Sequence, residues 1–509
     1  MLTNTDLTQI KKHGLSVDDI IKQLETFRRG IPPVDIVTAA SVGNGIEVIP
    51  EEVQHRLVSL YDEKKQALDI VKFVPASGAA TRMFKFLHEF LQSFNPEEDS
   101  FKKYIKKYRK QEVETFFNNF KLFPFVNSVR KTIREQYPDY KTSNKGERNI
   151  CIAKAMLEKE GLGYDDYPKG LIPFHKYKKY ATTAFEEQLY ESAFYASASS
   201  DVYLHFTFAE KHVPFFKEEF EAIKKRVTFK TKKEFHISYS FQKKETDTLA
   251  VKKDDTPFRD VNGELVFRPS GHGALLDNLN DVDADVIFIK NIDNVVIEPY
   301  VEELAFYKRL LAGKLLFLQA KVFDYIRKLQ EETITEDLYK ELKSFFWNEL
   351  NCKDVPADKH QMLYLLDRPI RVCGVVKNTG APGGGPFWVK NEYGHVSIQI
   401  VEMSQIDKKK AEQIKLLNEA THFNPVDIVC STRNYKGKKY DLEKFANQDL
   451  GFIASKSYDG KTIKALERPG LWNGAMYNWN TVFVEVPQET FNPVKTVNDL
   501  LNKAHRPDA

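Results

Sequence analysis

Cysteine is scarce in this sequence. Four occur in 509 residues, Cys151, Cys352, Cys373 and Cys430, and none belongs to a C-x-x-C pair. That excludes C-x-x-C metal and redox centres and leaves buried free thiols in a reducing compartment as the expectation. Neither sign of charge is in excess: 75 basic residues face 72 acidic ones, a net +3. No general electrostatic case for nucleic-acid binding follows. No apolar run reaches the roughly 20 residues of a membrane-spanning helix. The opening MLTNTDLTQIKKHG has no apolar core of the kind an export signal carries, so a cytoplasmic location is expected.

What is present is a chain with 42% hydrophobic and 29% charged residues, the balance of a soluble globular protein. Its length exceeds one ordinary core, so several units or one large domain with insertions are expected. Residues 1–68 read as an N-terminal helical segment, with Leu7, Ile10, Ile20, Leu24 and Phe27 at helical spacing. Residues 69–490 read as a catalytic domain with helical insertions at about 87–162 and 299–365, and 491–509 as a C-terminal tail. The basic run from Lys102 to Lys110, interleaved with Tyr104 and Tyr108, has the spacing of a solvated helix face.

The stretch from Ile70 to Phe86, IVKFVPASGAATRMFKF, organises the reading. Val71, Phe73 and Val74 favour a strand, small residues follow Pro75, and a helical pattern resumes after Met83. A strand that turns through small residues into a helix brings backbone N–H groups towards an anion. Arg82 adds a guanidinium suited to phosphate. A plain strand–helix connection with a surface arginine fits the same residues, because short glycine patterns recur by chance.

Further strands are predicted at Val202–Phe208 and Glu234–Phe241, with a helix over 213–226 between them. The run from Ala284 to Asn294 is strongly apolar and reads as a strand of a sheet buried on both faces. Its Asp293 then lies at a C-terminal strand end, where open α/β sheets bind ligands. A cap for the next turn is the plainer role for that carboxylate. Residues 368–376, 387–389, 396–406 and 482–486 return to strand character. The segment from Trp472 to Thr481 concentrates Trp, Asn and Gly before a strand, a composition suited to a polyol.

Several of these elements share a resemblance. Gly78-x-x-Thr81-Arg82-Met83 resembles the nucleotide loop of the sugar-nucleotide pyrophosphorylases, with Ala80 where that family has a second glycine. Pro168-Lys169 and the run from Thr182 to Leu189 resemble the family's Pro-Lys element and the helix after it. Gly271-His272-Gly273 is similar to the Pro-x-Gly-His-Gly element of the uridylyltransferases. Asp293-Asn294 resembles the strand end whose aspartate binds Mg²⁺. Val401-Glu402-Met403-Ser404 resembles a Val-Glu-Tyr-Ser element, with Met403 replacing tyrosine, and the late asparagine-rich loop is matched loosely. The elements follow the family's order, closely over residues 70–300 and loosely over 368–486.

The resemblance implies a nucleotide-diphospho-sugar transferase, GT-A-like fold, an α/β architecture with a mixed, mostly parallel central sheet and helices on both faces. It implies a nucleotidyltransferase, nearest to the UDP-sugar pyrophosphorylases, that makes a nucleotide sugar from UTP and a sugar 1-phosphate with Mg²⁺. Arg82 and Lys169 would be catalytic. Ala76, Ser77, Gly78, Ala79, Ala80, Thr81, Gln242, Gly271, His272 and Gly273 would bind the nucleotide. Glu402, Asn473, Gly474 and Asn480 would bind the sugar, and Asp293 the metal. Lys85 competes with Lys169, and Lys377 and Arg468 stand as candidates for the sugar phosphate. The implied partners are the nucleoside triphosphate and sugar 1-phosphate, with neither nucleic acid nor membrane. A same-fold protein that only binds a nucleotide sugar, or transfers its sugar, is the alternative. A helical interaction scaffold is a third reading.

Overall fold

Short runs of β-branched and aromatic residues form the strands, and their lack of polar alternation sets the sheet inside rather than on a surface. The computed structural model describes residues 2–507, apart from 77, 79, 332, 381–383 and 424–426. Two compact units result, each assembled from separated stretches: Met1–Phe73, Ser240–Ile289 and Tyr307–Gln488 in the first, Val74–Tyr239, Lys290–Phe306 and Glu489–Ala509 in the second.

In the first unit the main sheet runs, in spatial order, through Ser41–Val42, Gly45–Glu47, Asn480–Glu485, Ile370–Val375, Asp427–Ser431, Val286–Ile289 and Ile70–Pro75. Only Asp427–Ser431 runs against its two neighbours; the other four pairings are parallel, so the sheet is mixed and mostly parallel. Every residue of Val286–Ile289, Ile370–Val375 and Asp427–Ser431 is buried. Helices cover both faces. On one face Tyr61 of the helix Glu51–Lys64 meets Phe288 edge-on. On the other the helix Leu275–Asp281 packs with Ile287, Ile289, Cys373, Val375 and Phe483. A second, antiparallel sheet contains Thr248–Val251, Lys461–Glu467 and Phe452–Tyr458. Ile10, Ile20 and Phe27 of the first two helices pack on it. Residues 1–68 are therefore not wholly helical, since they also carry the strands Asp35–Ala39, Ser41–Val42 and Gly45–Glu47.

In the second unit, residues 85–157 are helical as expected, from Lys85–Ser93 through Lys145–Leu157. Their core is aromatic: Phe86, Phe90, Phe94, Phe101, Phe116 and Phe123 are all buried there. The lysines of Phe101–Tyr108 face outwards while Phe101, Tyr104 and Ile105 are buried. The strands Asp201–Phe208 and Glu234–Phe241 are neighbours, flanked by the helices Ala184–Tyr195 and Val213–Thr231. Residues 491–507 do not form a loose tail, because Val494, Val497 and Leu500 enter this unit's core. Cys373 and Cys430 are buried free thiols; Cys151 and Cys352 are free but only half-buried. No helix among the described residues is long and apolar enough to cross a membrane.

The C-terminal segment is anchored by a buried polar chain. His175 Nδ1 lies 2.8 Å from Glu187 Oε1, and His175 Nε2 lies 2.9 Å from His505 Nδ1. Burial, with His175 beside it, pulls the His505 imidazole down from 6.5 to about 3. Between those values the unfolded chain binds a proton that the folded chain excludes, so stability is present above pH 6.5 and lost as pH falls towards 3. His505→Asn should lower the melting temperature at about pH 7.5 and narrow its deficit against the parent at about pH 5. Thermal melts across that range check it, and parallel curves would contradict it.

Candidate functional site

Three turns of the second unit build the candidate site. The first follows the strand Ile70–Pro75. The Ala76 N–H donates to the Thr207 carbonyl at 3.0 Å, and the Ala80 N–H donates to the Tyr167 carbonyl at 3.1 Å. The Thr81 hydroxyl donates to the Asp165 carbonyl at 3.0 Å. The amides of Ala76 and Ala80 thus hold the loop's own shape and are not offered to a phosphate, a correction to the expectation from sequence. Ser77 and Ala79 lie outside the described residues. Gly78 is exposed, and a β-carbon there would meet nothing within 4 Å, so a ligand can approach its backbone closely. A 3-10 turn, Ala80–Arg82, separates the loop from the helix Lys85–Ser93. The helix N-terminus is therefore not where the small residues are. Arg82 is exposed, with no partner for its guanidinium among the described residues. Lys85 is exposed beside Glu89.

The second turn carries Pro168 and Lys169. Lys169 N–H donates to the Gly78 carbonyl at 3.2 Å, which ties the two turns together. The 3-10 turn Lys169–Leu171 follows, and Gly170 is required by crowding: a β-carbon there would lie 2.9 Å from Ile292 Cγ1. That close approach brings Lys169 to the third turn, where its Nζ lies 2.5 Å from Asp293 Oδ2. Both side chains are largely enclosed, at 16% and 19% exposure.

The strand Val286–Ile289 ends four residues before Asp293. The carboxylate therefore sits in a turn rather than at a strand end, and other groups supply its rigidity. Gln188 Nε2 donates to the carbonyls of Asn291 and Ile292 at 3.0 and 3.2 Å. Val494 N–H donates to the Asp293 carbonyl at 3.2 Å, and Asn492 N–H donates to Asn294 Oδ1 at 2.8 Å. Sequence patterns indicated the helix that carries Gln188 but gave no sign that residues 492–494 would close the turn.

The helix Ala184–Tyr195 lies beneath these turns with an unusual buried face. Glu186, Glu187, Gln188 and Glu191 are each no more than 2% exposed. Arg226 makes two hydrogen bonds to Glu186, at 2.8 and 2.7 Å, and Lys290 Nζ lies 2.8 Å from Glu191 Oε2. Burial pushes the Glu186 carboxyl up against the opposing pull of Arg226. Burial likewise pulls the Lys290 ammonium down, against Glu191.

The remaining candidates lie in the first unit. Gly271 has φ +74, and a β-carbon there would lie 2.6 Å from Glu467 Oε2. Gly273 is small for internal packing, since its β-carbon would meet Arg468 Cβ at 2.5 Å. His272 is exposed. Burial raises the Glu402 pKa, and His272 is near enough to offset part of that rise. Gln242 donates to Asp247 at 3.2 Å. The sugar-facing expectation for the late loop is corrected at three positions. Asn473 is 4% exposed and donates to Gln405 Oε1 at 2.9 Å. Gly474 is packed against Pro469 and Leu450, and Asn480 Nδ2 donates to the Leu366 carbonyl at 3.3 Å. Lys377 lies 3.8 Å from Glu485, and Arg468 donates to the Glu245 carbonyl at 3.1 Å.

One family model, described as a domain of unknown function, DUF4301, matches residues 3–506. The chain belongs to the DUF4301 family. No curated protein matches it. Solved structures that match include a uridine diphosphate N-acetylglucosamine pyrophosphorylase from Trypanosoma brucei, at 11% identity and a TM-score of 0.46, over 98% of this chain and 79% of that one. A UDP-glucose pyrophosphorylase variant from Leishmania major, in complex with UDP-glucose, matches at 12% identity and a TM-score of 0.46, over 100% and 80% of the chains. A UDP-glucose phosphorylase from Trypanosoma brucei matches at 13% identity and a TM-score of 0.44, over 97% and 77%.

No group of three or more His, Cys, Asp and Glu side chains among the described residues is arranged to hold a metal. Asp293 offers a single carboxylate. Mg²⁺ takes one or two carboxylates and completes its shell with phosphate oxygens and water. An ion at Asp293, which Lys169 already engages, would need the rest of its ligands from outside the described residues.

If Lys169 and Asp293 hold one another in the ligand-free protein, a double-mutant cycle with Lys169→Ala and Asp293→Asn should give a coupling of about 1 kcal/mol. Urea unfolding of the four proteins measures it. Coupling below about 0.3 kcal/mol would mean that the side chains do not meet in solution.

Proposed function

We propose that this chain is a nucleotidyltransferase that makes a nucleotide sugar from a nucleoside triphosphate, UTP first among them, and a sugar 1-phosphate, releasing pyrophosphate. One observation carries the reading. Lys169 and Asp293, 124 positions apart and each singled out by its own motif, are in contact beside Gly78. A lysine, an aspartate and an open glycine backbone are the parts that triphosphate chemistry asks of a protein. An oxygen of the sugar 1-phosphate attacks the α-phosphorus, and the bond to the bridging oxygen breaks, so pyrophosphate leaves with that electron pair. Little covalent help is needed; alignment and charge neutralisation do the work. Lys169 would move from Asp293 to the β- and γ-phosphates. Arg82, exposed and unpaired among the described residues, would hold the triphosphate as a fork. Bound Mg²⁺ would neutralise phosphate charge, and Asp293 is the side chain to hold it.

A second reading is favoured by the closed ion pair and the occupied amides of Ala76 and Ala80: a protein that binds a nucleotide sugar without this transfer. Asp293→Asn separates the two. It keeps the side chain's shape and removes its charge, so the variant should melt near the parent yet lose Mg²⁺-dependent stabilisation by UTP. Pyrophosphate release from UTP with a panel of sugar 1-phosphates should fall at least 100-fold, and Lys169→Ala should weaken triphosphate binding. Full retention of both properties by Asp293→Asn would end the metal assignment. A parent protein that releases no pyrophosphate yet is stabilised by UDP-sugars would select the second reading.

A further inference from the structure

The first unit contains a cavity of about 540 Å³ that none of the phosphate-handling residues lines. It opens beside the N-terminal ends of two parallel strands, Ile370–Val375 and Asn480–Glu485, where Ile370 pairs with Asn480. The intervening reversed strand Asp427–Ser431 gives Val286–Ile289 and Ile70–Pro75 the same direction as these two. The cavity thus lies at the edge of this sheet where the parallel strands begin. Ligands of open α/β sheets are ordinarily found where strands end.

Its lining holds a cation without a counter-ion among the described residues. Arg368 Nε donates to the Tyr364 carbonyl at 3.1 Å, and the guanidinium lies 4.6 Å from the centre of the Tyr364 ring. No ion pair engages Arg368 among the described residues. The one acid among the lining residues, Asp354, is 54% exposed and lies 3.7 Å from His395. Burial holds the Arg368 pKa below its ordinary value, against the opposing pull of Tyr364 and Cys352. On the same lining, Trp479 is 4% exposed, and its indole N–H has no acceptor among the described residues. An unpaired buried donor is destabilising, and an incoming acceptor relieves that cost. The rest of the lining mixes aromatic faces, Tyr364 and Tyr477, with the amides of Gln361 and Asn478. Aromatic faces and amides suit a polyol, while the guanidinium and indole N–H suit an anion.

We infer that this cavity is a second binding site, for a monosaccharide bearing a phosphate or a carboxylate. Arg368 grips the anion and Trp479 donates to one of its oxygens. The volume falls within the range of small-molecule pockets and accommodates a ring with its charged substituent. The site does not depend on the reading of Lys169 and Asp293, and a chain without transferase activity would still carry it.

Titration calorimetry of the full chain with glucose 6-phosphate, glucuronate and glucose tests the inference. At least one of the two anionic sugars should bind saturably, and which one identifies the anion. Neutral glucose should bind at least tenfold more weakly. Arg368→Ala should reduce the affinity roughly 10- to 100-fold, and Arg368→Lys by less. Should Arg368→Ala fail to fold, Tyr364→Ala, at a side chain 65% exposed, removes the face that orients the guanidinium and should weaken binding in the same sense. No binding of either anionic sugar at about 10 mM, equal binding of glucose, or unchanged affinity in Arg368→Ala would each overturn it.

Discussion

The candidate site depends on one constraint: Glu186, Glu187, Gln188 and Glu191, on a single helix, are buried and must be satisfied. An ionised carboxylate without a partner in such a place is far too costly to keep. Glu186 takes Arg226, Glu187 takes His175, Gln188 takes two carbonyls and Glu191 takes Lys290. Two of those partners, Lys290 and the carbonyls of Asn291 and Ile292, belong to the chain just before Asp293. The helix cannot pair its own buried groups without fixing that turn. The rigidity of the turn that carries Asp293 is therefore a by-product of hydrogen-bond satisfaction rather than of the strand before it. The network continues through His175 to His505, so the last residues of the chain are held by the same requirement.

Much of this fold was legible where burial leaves a long periodic trace. The apolar runs at 286–289 and 370–375, the helices of 85–157 and the small-residue loop after Pro75 all lie where hydrophobic patterning indicated. What escaped notice is short. Asp427–Ser431 has only five residues, yet it occupies the middle of the main sheet and reverses its direction once. Its sequence, DIVCS, carries no turn signal or alternation, and only its neighbours make it a strand. The strands at 248–251 and 461–467 lie in a polar part of the sequence, and their pairing is a long-range event that no local window records.

Of the candidate site, the proximity of three turns was legible, but not their supports. Gly78, Lys169 and Asp293 were singled out, and the structure brings these three turns together. The order of motifs carried that information, because proximity across 124 positions leaves no local mark. The small residues around Gly78 were read too generously. Ala76 and Ala80 are buried, and their amides serve the fold. Asn473, Gly474 and Asn480 show the same error: a composition suited to a sugar is also one suited to a tightly packed turn, and here packing accounts for all three. Composition cannot separate these uses, because an amide satisfies a backbone carbonyl as readily as a hydroxyl.

The contact between Lys169 and Asp293 also bears on how a triphosphate would enter. A lone lysine at 16% exposure would be poorly solvated, and a lone aspartate at 19% equally so. Each removes the other's penalty, so the pair is close to neutral. A nucleotide without a metal would draw Lys169 away and leave Asp293 unpaired beside polyanionic phosphate, an arrangement that charge repulsion opposes. A nucleotide that carries a divalent cation replaces both halves of the pair at once, phosphate for aspartate and cation for lysine. Under the proposed reading, the ion pair would therefore discriminate: it would favour the metal complex of a triphosphate over the free anion through the exchange of partners alone.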